Sequence, residues 1–161
     1  MPTHNFPVAI ALEDKAVASD HLANKGLVMA VEVGVLQVLA ADLTKRGKPI
    51  PSPQSGTAMI DTGAFRTAID ESAIIALGIQ PTGQAMIGGQ GGPKLQNLYQ
   101  VEVAFPGSPF PKLPMEVIGV QIKDQGIVGL IGRDILRYCV LVYNGQQGSW
   151  SLSSLGAQEL G

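Results

Sequence analysis

The chain reads as one mostly β domain with two short helices. Three observations lead to that expectation. Its 161 residues are enough for a single domain with a real core and too few for two ordinary ones. Apolar residues make up 45% and charged residues only 15%, a balance that speaks against a disordered chain. Twenty Gly and eleven Pro cut the sequence into short runs, and short apolar runs between turn residues favour strands over long helices.

Residues 1–26 form an N-terminal extension with weak patterning. They offer either a strand near Pro7–Leu12 followed by a polar, helical stretch, or a removable pro-segment. The domain proper spans 27–161. Val28 to Leu39 is rich in Val with poor alternation, and reads as a strand buried on both faces. Thr44 to Ser55 carries Pro and Lys and reads as an exposed loop. Thr57 to Ile60 is a short apolar strand that ends on Asp61.

Asp70 to Gly78 has the marks of a short helix, with Asp70 as N-cap, Glu71 in the first turn and Gly78 as the stop. Ala85 to Gly92 is a Gly-rich tip ahead of a second strand, Asn97 to Phe105, which together predict a hairpin with a mobile end. Met115 to Ile122 is another strand. Ile127 to Gly132 runs into a second short helix, Arg133 to Tyr138. The chain closes on a strand at Val140–Tyr143, a turn through Asn144-Gly145 and a last strand around Ser149–Leu152.

Composition removes several classes of function. A net charge of −2 without a Lys/Arg cluster gives no footprint for nucleic acid. One cysteine, Cys139, forbids an internal disulfide framework and reads as a small buried hydrophobe. Two histidines, His4 and His21, show no ligand spacing with it, so no metal site is expected. No Gly-x-Ser-x-Gly elbow is present to support a serine nucleophile. The first residues lack the basic and apolar regions of a secretory signal, and the most apolar window, Leu27 to Leu43, holds Glu32, Gln37 and Asp42. The expectation is a cytoplasmic chain with no membrane segment and no cofactor.

The stretch Met59-Ile60-Asp61-Thr62-Gly63-Ala64-Phe65-Arg66-Thr67 carries the chemistry. An apolar strand delivers a carboxylate to a tight turn, where Gly63 lets backbone approach closely. Taken alone, Asp-Thr-Gly reads first as a turn. A carboxylate serves as general base on water only when it is held and tuned. Two carboxylates about 3 Å apart share one proton, so one can deprotonate water while the other protonates a carbonyl. The chain has one such triplet, and the chemistry needs two.

Three blocks in order give the sequence a resemblance to the retropepsin-type aspartic peptidases, single-domain homodimeric relatives of pepsin. Asp61-Thr62-Gly63-Ala64 with Thr67 is similar to the family's catalytic loop. Met86-Ile87-Gly88-Gly89-Gln90-Gly91-Gly92 resembles the glycine-rich flap of retroviral members. Leu130-Ile131-Gly132-Arg133-Asp134-Ile135-Leu136 is similar to the segment leading into the family's helix. The resemblance runs from about residue 28 to 152 and leaves the N-terminal segment unexplained.

The resemblance implies a retropepsin-like closed β-sheet domain holding half of a pepsin-type active site. It makes Asp61 the catalytic aspartate, paired with Asp61 of a second copy, with Thr62, Gly63 and Ala64 supporting the loop. Phe65, Ile87, Gly88, Gly89 and Gln90 would bind an extended peptide substrate. Leu130, Ile131, Gly132 and Arg133 would brace the site from behind. Water between the paired carboxylates would attack the scissile bond, without metal or organic cofactor, as in an aspartic endopeptidase. An alternative is a retropepsin-like dimerisation or peptide-binding module with weak or no turnover.

Three departures from the retroviral pattern stand out. Phe65 occupies the place of an acidic residue that pairs with the arginine of the third block. Arg133 must therefore find Asp70, Asp134 or a carboxylate of the second copy, or stay exposed. The chain continues past the strand at Cys139–Tyr143, with a hairpin carrying Trp150 that could replace interleaved termini at the dimer interface. The Thr44–Ser55 insertion precedes the catalytic strand.

Overall fold

The structure, a computed structural model, describes residues 15–88 and 91–154. The strand expected near Pro7–Leu12 and the tip residues Gly89 and Gln90 lie outside these. Among the described residues are nine strands: β1 (Val28–Gly34), β2 (Gln54–Ile60), β3 (Ala68–Asp70), β4 (Gly83–Ile87), β5 (Lys94–Ala104), β6 (Leu113–Val120), β7 (Gly129–Ile131), β8 (Cys139–Asn144) and β9 (Ser149–Ser154). Four helices accompany them: α1 (Lys15–Lys25), α2 (Gln37–Lys45), α3 (Glu71–Ala76) and α4 (Arg133–Leu136).

Seven strands form one sheet in the order β1-β2-β7-β3-β6-β5-β4, and a further β1–β5 pairing closes it. Closure is antiparallel through Glu32↔Ala104, Val33↔Val103 and Gly34↔Glu102. β2 runs parallel to β7 and β3 parallel to β6; the other pairings are antiparallel. Most inward positions of these strands are β-branched, which suits a pleated, buried surface. Val31, Val33, Ile69, Val101, Val103, Val117 and Ile131 fill the interior together with Ile74 of α3. β8 and β9 form a separate two-stranded sheet. Its Trp150 and Leu152 turn into the same core.

Three expectations need correction: the described residues hold four helices rather than two, and two boundaries move. The strand placed at Val28–Leu39 stops at Gly34, and Gln37–Lys45 is helical. Beyond Val35 the residues are mainly Leu, Ala, Gln and Lys, which lose little freedom in a helix, and they outweigh the β-branched Val38 and Thr44. The loop expected from Thr44 is accordingly shorter, because Thr44 and Lys45 close α2 and Gln54 opens β2. α1 docks on the turn of the terminal hairpin, where the Ser19 hydroxyl donates to the Gly145 carbonyl at 2.6 Å.

The Asp70 N-cap follows the sequence reading and does more than cap. Its Oδ1 accepts from the Ser72 N–H at 3.0 Å, and Oδ2 accepts from the N–H groups of Ile122 (3.0 Å) and Lys123 (2.8 Å). This buried carboxylate ties α3 to the loop after β6. Burial alone pushes its carboxyl upward, but hydrogen bonds from the Ser72 hydroxyl and from the backbone of Ile122, Lys123 and Ser72 outweigh it, so Asp70 sits below the ordinary aspartate value. The unfolded chain therefore takes up the proton first as pH falls. The stabilisation is complete above the unfolded value of about 3.9 and is lost as pH drops through the lower folded value. Asp70→Ala is expected to cost about 2–4 kcal/mol at neutral pH, because three backbone donors lose their acceptor. Urea unfolding at pH 7 and again near pH 3 checks this, with a smaller difference at the lower pH.

Candidate active site

Asp61 stands where β2 leaves the closed sheet, and its backbone continues the parallel pairing to β7. The Asp61 N–H donates to the Ile131 carbonyl at 3.0 Å. The chain then turns sharply, and the turn is built around the Asp61 carboxylate. Oδ1 accepts from the N–H of Gly63 at 2.9 Å and of Ala64 at 3.2 Å. Both loop amides go to one oxygen, and no described residue donates to Oδ2. A Cβ on Gly63 would lie 3.1 Å from Oδ1, so glycine lets the carboxylate tuck against the loop. Asp61 is half-buried, while Thr62 and Gly63 are exposed.

The segment after β7 clasps this loop from behind. The Arg133 N–H donates to the Ala64 carbonyl at 2.9 Å. Its guanidinium Nη1 donates to the carbonyls of Thr62 (2.9 Å) and Gly63 (3.1 Å). Arg133 thus remains exposed and uses neither Asp70 nor Asp134 as its partner. Phe65, which leaves no carboxylate for it, is itself 63% exposed. Backbone carbonyls replace an acidic side chain in holding the arginine against the loop.

Asp134 has a different job, which sequence reasoning missed. Its Oδ2 accepts from the Thr67 N–H at 2.8 Å, and its Oδ1 accepts from the Thr67 hydroxyl at 2.8 Å. The same hydroxyl oxygen accepts from the Gly132 N–H at 3.1 Å. Thr67 is fully buried, so this is a satisfied polar lock at the end of the Asp61 loop. Gly132 is what permits it: a Cβ there would lie 2.4 Å from the Arg66 carbonyl carbon and 2.8 Å from the Thr67 nitrogen. Thr67 and Asp134 both fall within the motif blocks, and their hydrogen-bonding residue types at a loop end and a helix start were the available signal. Ile131 is fully buried beneath the loop, and Leu130 is half-buried beside it.

The glycine-rich segment joins β4 to β5 in the expected hairpin, with Ile87 opposite Lys94 and Gly83 opposite Leu98. The β5–β6 pairing begins only at Leu98, so the hairpin projects beyond the closed sheet as an arm. Ile87 is half-buried and Gly88 exposed. Gly91 and Gly92 hold φ of 94° and 91°, backbone that residues with a side chain rarely adopt. The base of the arm is tied down by a polar chain. The Gln84 amide donates to Asn97 Oδ1 at 2.9 Å, and Asn97 Nδ2 donates to Glu71 Oε1 at 2.7 Å. The Tyr99 hydroxyl donates to the same carboxylate oxygen at 2.5 Å; burial first, and Glu71 second, push the phenol upward. Among the described residues the arm is therefore anchored at its root and unpaired along its outer edge.

Among the described residues no group of three His, Cys, Asp or Glu converges as a metal site would, and no helix is long and apolar enough to cross a membrane. Cys139 is half-buried, and burial pushes its thiol upward.

Residues 41–135 match the aspartyl protease family model, a span that holds the Asp61 loop, the hairpin arm and the start of α4. The chain belongs to the aspartyl protease family, and its mostly β closed sheet is the retropepsin-like fold that its motifs imply. Among solved structures it is similar to a foamy viral protease-reverse transcriptase in complex with an RNA/DNA hybrid, at 20% identity and a TM-score of 0.44 over 69% of this chain. That match spans 12% of the viral chain's length. It is also similar to EIAV protease complexed with the inhibitor HBY-793, at 24% identity and a TM-score of 0.36, covering 52% of this chain and 75% of that one. No curated protein matches the chain.

Proposed function

We propose that this chain is one half of a homodimeric aspartic endopeptidase that cleaves an extended polypeptide. The observation that carries the reading is the Asp61 loop. It holds one carboxylate, fixed by two amides at one oxygen and braced by Arg133 and Asp134. An aspartic mechanism needs two carboxylates sharing a proton, and a second copy related by a two-fold axis supplies the other.

In that dimer a water molecule sits between the two Asp61 carboxylates. The ionised member takes a proton from the water as it attacks the scissile carbonyl, and the protonated member donates to the carbonyl oxygen. The exposed Thr62 and Gly63 lie next to the axis, with Thr62 bonding across it. The arm closes over the peptide, with Gly88, Gly89 and Gln90 meeting its main chain and Ile87 its side chains. Met86 and Leu95, opposite each other and exposed, add apolar contact. Phe65 forms a wall of the cleft. We read 27–161 as the peptidase domain and 1–26 as an extension to it, whose described part, α1, packs on the terminal hairpin and buries Leu22 in the core.

The terminal hairpin offers the dimer face. Residues 138–154 carry no charged side chain. Val140 and Val142 stand exposed on the outer face of β8, opposite Ser153 and Ser151. A two-stranded sheet with such a face and unpaired edges is marginal in water and suited to pairing with a copy of itself. Placing lysine at both valines brings four like charges together in the dimer. The Val140→Lys, Val142→Lys variant is expected to weaken self-association by about 100-fold or more. Sedimentation velocity and peptide cleavage, followed against chain concentration, test the proposal. Wild type should gain specific activity as dimer forms, and the variant should be monomeric and inactive at the same concentrations. A fully active monomer would overturn the reading.

A further inference from the structure

We propose that the cleft beside the catalytic loop binds an acidic side chain of the substrate, so that the enzyme prefers Glu or Asp at one position near the cleaved bond. The inference rests on the peptidase reading above. An open cleft of about 580 Å³ lies between the residues that follow the Asp61 triplet and those that open α4. Its walls are apolar, from the Phe65 ring and Met115. The polar groups along it are three guanidinium groups and two carboxylates.

What decides the preference is how those charges are used. Arg66 is neutralised by an ion pair with Glu116 and packs over the Phe65 ring at 5.4 Å. The Asp134 carboxylate is consumed by Thr67 and by its own helix, where it accepts from the Ile135 N–H at 2.9 Å. Arg133 meets only uncharged carbonyls. Arg137 rests over the Tyr138 ring at 5.3 Å. Neither Arg133 nor Arg137 forms an ion pair with a described carboxylate. The cleft therefore carries surplus positive charge on a chain whose net charge is −2. An aliphatic stem along Phe65 and Met115, ending in a carboxylate at the two arginines, matches this lining. A guanidinium fork accepts a carboxylate with two parallel hydrogen bonds, while a lysine at the same substrate position is repelled.

The test separates binding from turnover. Asp61→Asn protein is titrated with fluorescent peptides that differ only by Glu, Gln or Lys at each position within four residues of the cleaved bond. At one position the Glu peptide should bind about fivefold more tightly than the Gln peptide, with the difference shrinking in high salt. Adding Arg137→Gln should bring the two peptides close to parity, and Arg137→Glu should favour the Lys peptide. Equal binding of Glu and Gln peptides at every position would overturn the inference, as would a preference that Arg137→Glu leaves unchanged or a failure of all the peptides to bind. Cleavage of an unbiased peptide library by the wild type reports separately on the peptidase reading, which survives if hydrolysis is present without acidic preference.

Discussion

Asp61→Asn is expected to abolish peptide hydrolysis while leaving the chain folded and dimeric. The asparagine side-chain carbonyl can still accept the amides of Gly63 and Ala64, which meet Asp61 Oδ1 at 2.9 and 3.2 Å. The turn should therefore survive within about 1 kcal/mol. What disappears is the ability to take up and release a proton. An amide pair cannot deprotonate water or pass a proton to a carbonyl, so a loss of about 10³-fold or more in kcat is expected. Thermal unfolding and sedimentation of the variant, measured beside its cleavage rate, separate lost chemistry from lost structure. Hydrolysis at the wild-type rate would remove Asp61 from the mechanism.

Gly132→Ala should be the most damaging single-methyl addition near the site. The new Cβ would fall 2.4 Å from one backbone carbon of Arg66, 2.6 Å from its oxygen and 2.8 Å from the Thr67 nitrogen. These atoms are backbone, so relief requires the Asp61 loop and the start of α4 to move apart. That separation also pulls at the Thr67–Asp134 lock and the Arg133 contacts with Thr62 and Gly63. A cost of about 3–5 kcal/mol follows from overpacking with the loss of buried hydrogen bonds. In a chain of this size that lowers the melting temperature by about 10 °C. Activity should fall further than stability, because the carboxylate depends on this loop for its orientation. Gly83→Ala is the control: its Cβ would meet only a leucine methyl at 3.9 Å, and both readouts should stay near wild type.

The parts of the site that were legible in the sequence are those written in local chemistry. Asp61-Thr62-Gly63, the glycine-rich arm and the Leu130–Leu136 block each announce a turn, a hairpin or a helix start through residue types that few other contexts need. The Asp70 cap was legible for the same reason, since its bond to Ser72 spans two residues. Its second grip, on Ile122 and Lys123, was not, because backbone donors carry no sequence mark. The partner of Arg133 was hidden in the same way: the acceptors are main-chain carbonyls, which every residue has. Phe65 indicated that no acidic partner stood at the usual place, and the structure supplies the substitute. The Thr67–Asp134 lock joins side chains 67 residues apart, a pairing that only the β2–β7 and β3–β7 contacts bring together. A closed sheet was implied by the family resemblance, but not that β1 and β5 close it, and the helix at Gln37–Lys45 was illegible because Val-rich composition alone does not say where a strand ends.

The central claim is that each active site takes one carboxylate from each of two chains. Mixing wild type with Asp61→Asn at equal concentrations, with total chain held constant and subunits allowed to exchange, tests it most directly. Random pairing leaves about a quarter of the dimers with two aspartates, so activity should fall to about a quarter of that of wild type alone. If a single chain carried a complete site, half the chains would remain active, and a fall to only about half would contradict the account.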